Sequence, residues 1–189
     1  MKNSKEYAKK IKKLYKSLKA ASSEKPDQPA YEDPTDAMIF AAVNEFATVS
    51  SAKAILRRID EHFVDTNDLR VAPAEEILEV LGDAAVKAKQ TAEQLNKMLD
   101  NIFRKYNTVS LTALKKMGKR PAKQVIEKIA DNRFVTEYCF LTSLDGHCVP
   151  LTDGMIACLQ KGKLVHPDAD ADTHSGTVVD TVGRWQMCL

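Results

Sequence analysis

The stretch Ile129–Leu159, IADNRFVTEYCFLTSLDGHCVPLTDGMIACL, decides how this chain is read. A polar turn around Asp131, Asn132 and Arg133 precedes one apolar run, and a second turn, PLTDG, precedes another. Apolar runs of this length beside cap-forming residues predict two helices joined by GHCVPLTDG. Asp131 or Asn132 suits the cap of the first helix, and Thr152 or Asp153 the cap of the second. For Asp153 a cap and a chemical group are both open readings, and the two roles can coexist.

Immediately upstream, LKKMGKRPAK gathers Lys115, Lys116, Lys119, Arg120 and Lys123 around Gly118. Backbone N–H groups at a turn, and at the start of the helix after it, can meet phosphate oxygens, and a basic cluster nearby would add salt-sensitive contacts. An ordinary helix connection with solvated lysines is the alternative.

Further back, SLTALKKMG and KRPAKQVIEKI read as helices. AAVKAKQTAEQLNKMLDNIFRKYN is a longer one capped by Asp83, with Val86, Leu95, Leu99, Ile102 and Phe103 on its inner stripe. PAEEILEVLG starts at Pro73 and stops at Gly82, and VDTNDLRVAP before it reads as a connection. SSAKAILRRIDEHF is a helix capped by Ser50 or Ser51 with Ala54, Ile55, Ile59 and Phe63 inward, and TDAMIFAAVNEFAT is a buried helix opened by Thr35 or Asp36. Residues 1–22 form a Lys-rich amphipathic helix with Tyr7, Ile11, Leu14, Tyr15 and Leu18 on one face. A proline-rich linker spans 23–34, the helical body 35–165, and an acidic, flexible tail 166–189. No strand has support in the body, so the expectation is an all-α protein of about eight short helices.

With 44% hydrophobic and 29% charged residues the composition is that of a globular domain, and no apolar run approaches the ~18 residues of a membrane span. A cytoplasmic protein, nucleoid-associated in a prokaryote, is the default expectation. The net charge of +2 conceals an asymmetry: residues 1–20 carry eight lysines against Glu6 alone, and the remainder is net acidic. A basic arm suits an anionic partner, nucleic acid or lipid, or is a solvated face. Cys139, Cys148, Cys158 and Cys188 form no CxxC pair, and His62, His147, His166 and His174 are scattered, so no metal site and no cofactor are read. The run DADAD lacks the glycine and distal glutamate of a calcium loop.

From Lys9 to about Val165 the chain resembles the endonuclease III-like, helix-hairpin-helix superfamily of DNA glycosylases. The resemblance rests on NEFATVSSAKA after a buried helix, the series of short helices, a hairpin, and a helix opened by an aspartate. The family hairpin reads LPGVGxKTA, and two segments compete for it. In LKKMGKRPAKQVI, Leu114, Gly118, Arg120 and Ala122 fall on the family's leucine, second glycine, lysine and alanine. Spacing favours IADNRFVTEYCFL instead: Ile129 precedes Asp153 by 24 positions, near the family's interval, whereas Leu114 precedes it by 39. Ala130 and Asp131 then replace proline and glycine, Arg133 the second glycine, and Val135 the lysine of bifunctional members.

The resemblance implies a double-stranded DNA partner, met through the basic helix, the 115–123 cluster and the turn residues Ala130, Asn132 and Arg133. It implies base excision with Asp153 as the catalytic carboxylate, without the iron–sulfur loop and without an efficient lyase step. A catalytically inactive DNA-binding or scaffold protein of the same fold is the alternative, and a helical protein-interaction module a third reading. Thirty residues follow Leu159, mostly the acidic tail, so the second lobe is expected to be reduced and completed by another copy of the chain.

Overall fold

The computed structural model describes residues 4–21, 29–82 and 87–165. These residues form nine α-helices and one 3-10 turn, with no strand among them, so the protein is all-α. The chain divides into two compact units, Tyr31–Gly146 and a second made of Met1–Ala30 with His147–Leu189.

The larger unit is built around α2 (Pro34–Asn44), in which every residue from Pro34 to Val43 except Asp36 is buried. A helix apolar on nearly all sides is stable only when surrounded, and α2 packs on α3 (Val49–His62), α6 (Ala88–Tyr106) and, most extensively, α8 (Arg133–Ser143). Its cap is Asp33, whose carboxylate accepts the Thr35 N–H at 2.8 Å, and not Thr35 or Asp36 as expected. Pro34 explains the shift, because its fixed φ and missing N–H suit the first helical position. Asp33 also accepts the Leu111 N–H at 3.0 Å, which ties the 3-10 turn Thr112–Lys116 to the start of α2.

Helix α3 is capped by Thr48, which accepts the Ser51 N–H, so Ser50 and Ser51 stand in its first turn and are not caps. Ala52 joins Ile55, Ile59 and Phe63 in the core, and Ala54 is exposed. The segment expected as a plain connection contains α4 (Thr66–Val71), opened by the Asp65 carboxylate on the Asp68 N–H. Six residues are too few to show a period in the sequence, and the cap was its one local signal. Helix α5 (Ala74–Leu81) starts after Pro73 and ends at Gly82, whose φ of 67° is open to glycine at little cost. Arg58 reaches the α5 terminus and donates to the Leu81 carbonyl at 2.6 Å. Asp83 and Val86 lie outside the described residues. Along α6, Leu95, Met98, Leu99 and Ile102 are buried, and α7 (Lys119–Ala130) follows the 3-10 turn.

The second unit contains α1 (Ser4–Ala21) and α9 (Asp153–Lys161). Ile11 is the buried member of the apolar face of α1, and Leu18 is half exposed. No residue of α9 is buried. Cys139 and Cys148 are buried, whereas Cys158 is exposed on α9. The acidic tail lies outside the described residues.

Candidate functional site

Helices α7 and α8 are joined by two residues, Asp131 and Asn132, at the position that the spacing selected for the hairpin. Asp131 has φ 46°, a left-handed conformation that glycine adopts freely and that aspartate tolerates better than most residues. The local path is therefore kept without glycine. Asn132 caps α8: its Oδ1 accepts the Val135 N–H at 3.0 Å, and its Nδ2 donates to Glu45 Oε2 at 2.8 Å. Glu45 follows α2 directly, so one side chain holds the turn to the end of the central helix. Asn101 of α6 adds a bond to the Ile129 carbonyl at 3.1 Å.

Two ion pairs flank this turn. Lys97 of α6 donates to Asp131 Oδ2 at 2.7 Å, and that hydrogen bond, with the ammonium charge behind it, holds the Asp131 carboxyl below its ordinary range. Arg133 gives both Nε and Nη2 to Glu137 Oε1 at 3.0 Å, and Glu137 is buried. Ala130 is buried at the end of α7. Val135 is fully buried, an apolar residue at the position where the resemblance places a lysine.

The basic cluster occupies the other end of α7, about 18 Å away along a helix of 12 residues. Lys115 donates to the Tyr31 carbonyl at 3.0 Å and Lys119 to the Asp145 carbonyl. A carbonyl fixes an ammonium without cancelling its charge. Lys123 is 3.6 Å from Glu127, an (i, i+4) pair, and Lys116 and Arg120 are exposed. The 3-10 turn and the first turn of α7 carry no acid, so this end of the helix is strongly positive.

Asp153 occupies the first position of α9, and Thr152 is the cap, with Oγ1 accepting the Met155 N–H at 3.2 Å. The Asp153 side chain is exposed, and among the described residues no hydrogen bond or ion pair engages its carboxylate.

Sequence reasoning did not find Lys97, Glu45, Asn101 or Glu137. Lys97 and Asp131 are 34 residues apart and Glu45 and Asn132 are 87 apart, so no local pattern could have linked them. Glu137 could have been found, since Arg133 and Glu137 have the (i, i+4) spacing of a helical ion pair.

The fold that carries these features is shared with solved structures of endonuclease III and of a thymine-DNA glycosylase. Among solved structures, the chain superposes on an endonuclease III trapped as a covalent intermediate with DNA, in an estranged-adenine complex (TM-score 0.72, 10% identity, covering 96% of this chain and 81% of that one). A non-covalent endonuclease III–DNA complex matches with TM-score 0.71 and 11% identity, over 96% of this chain and 80% of that one. A thermostable thymine-DNA glycosylase matches with TM-score 0.62 and 12% identity, over 98% and 81%. No family model and no curated protein matches the sequence.

Proposed function

We propose that the protein binds double-stranded DNA and removes a damaged or mismatched base as a monofunctional glycosylase, with Asp153 as the catalytic carboxylate. The observation that carries the reading is the division of labour at the start of α9: Thr152 makes the cap bond, and the adjacent Asp153 carboxylate is exposed and, among the described residues, unengaged. A target base must leave the stack before its glycosidic bond can be reached. When the C1'–N bond breaks, the electron pair leaves with the base and positive charge develops on the sugar; a carboxylate beside it stabilises that charge, water adds at C1', and the proton it loses ends on the departing base. Strand cleavage through a Schiff base needs an amine, and Val135 supplies none at the position of the family lysine. Phosphate contacts come from the α1 lysines, the Lys115–Lys123 cluster and the α7–α8 turn.

The charge pairing at that turn, Arg133 with Glu137 and Lys97 with Asp131, favours a second reading, a non-catalytic DNA-binding or scaffold protein of the same fold. Both readings require duplex affinity that falls steeply with salt. They separate on release of free base from a panel of lesion-bearing duplexes, followed by mass spectrometry. The glycosylase reading expects base from the wild type and none from Asp153→Asn. Salt-dependent binding without base release from any lesion would leave the scaffold.

A further inference from the structure

Two of the cations at the α7–α8 turn, Arg133 and Lys97, are held in different ways. Arg133 is bound through two nitrogens to a glutamate whose side chain is only 6% exposed. Removing its partner would leave a buried carboxylate uncompensated, so this pair resists exchange. Lys97 and Asp131 have side chains 63% and 72% exposed, and ion pairs so open to water contribute little. An incoming anion can therefore take Lys97 far more readily than Arg133. The Asp131 carboxylate stands in the turn itself, in a left-handed conformation that asparagine and glycine also accept. Nothing in the backbone path demands a carboxylate there.

We propose that Asp131 restrains DNA binding at the α7–α8 turn by holding Lys97 away from the duplex, so that Lys97 meets a phosphate only when this pair is broken. This rests on the DNA-binding reading above. Asp131 is then a negative determinant of affinity, and Lys97 a phosphate ligand held in reserve by an acid 34 residues away.

The test measures binding of a short random-sequence duplex by fluorescence anisotropy across a salt series, for the full chain and for Asp131→Asn. Neutralising Asp131 frees Lys97, and one more neutralised phosphate steepens the slope of log K against log salt by ~0.9, which is about eightfold tighter binding near ~0.1 M salt. Asp131→Gly should behave alike, and circular dichroism reports whether each variant keeps its helix content. Adding Lys97→Gln to Asp131→Asn should return the slope to the wild-type value. Wild-type binding with an unchanged slope in both Asp131 variants overturns the inference and leaves the DNA reading intact. A flat salt response from every protein defeats the DNA reading itself, and the inference with it.

Discussion

Thr152→Ala and Asp153→Asn should have opposite signatures, although the residues are neighbours. Thr152 satisfies one of the open N–H groups of α9 at 3.2 Å, and loss of such a cap costs about 1 kcal/mol. No residue of α9 is buried, so this loss has little tertiary packing to absorb it and should appear as local opening. A change of that size is roughly fivefold in a folded-to-open ratio. Hydrogen exchange followed by mass spectrometry should therefore show the amides of 153–161 exchanging about fivefold faster in Thr152→Ala, with those of α2 and α8 unchanged. Thr152→Ser retains the hydroxyl and should restore protection. Asp153→Asn leaves the cap in place, so α9 keeps near wild-type protection while base release is lost. If Asp153→Asn opens α9 as much as Thr152→Ala does, Asp153 is part of the helix start and the argument that its carboxylate is spare fails.

Replacing Lys116 and Arg120 by glutamine should weaken duplex binding and lower the salt slope by ~0.9 for each phosphate no longer neutralised, measured by anisotropy, with helix content preserved. Burial pushes the Asp33 carboxyl up, but hydrogen bonds from Ser110 and from the Thr35 and Leu111 amides outweigh it and hold the group below its ordinary range. Its stabilisation is therefore present above the unfolded carboxylate pKa and is lost as pH falls through the lower folded value; acid titration of Tm should show Asp33→Asn with a flatter acid limb. Gly146→Ala would set a methyl carbon 2.1 Å from Phe140 Cδ1 and 2.6 Å from Cγ, against a ring that is 8% exposed. Overpacking of that severity costs about 3 kcal/mol, or ~6–12 °C in Tm for a chain of this size, and Phe140→Leu in the same protein should recover part of it.

What could be read from the sequence follows the range of the interactions concerned. Pro73 and Gly82 bracket α5 as expected because a proline start and a glycine stop act within one turn. The all-α class follows from periodic apolar stripes such as Leu95, Leu99 and Ile102, each fully buried. Two caps were misplaced by two to three residues where several hydroxyls or acids stood together, at Thr48, Ser50 and Ser51 and at Asp33, Thr35 and Asp36, whereas Asn132 and Thr152 were each one of the two residues expected. Alanines gave no direction to the α3 stripe, since Ala52 and Ala54 look alike until packing chooses between them. The two-residue turn between α7 and α8 was legible in the polar run Asp131, Asn132 and Arg133, whereas the partners of its side chains come from α6 and from the end of α2. Such interactions depend on how helices pack and leave no trace in neighbouring letters.

The central claim is that Asp153 breaks glycosidic bonds and that no amine at position 135 carries the reaction on to the strand. Its most direct measurement is a lesion-bearing duplex incubated with wild type or Asp153→Asn, each reaction divided and half heated in alkali before a denaturing gel. Strand breaks are expected only in the alkali-treated wild-type half. Breaks without alkali, or equal breaks from Asp153→Asn, would contradict the claim.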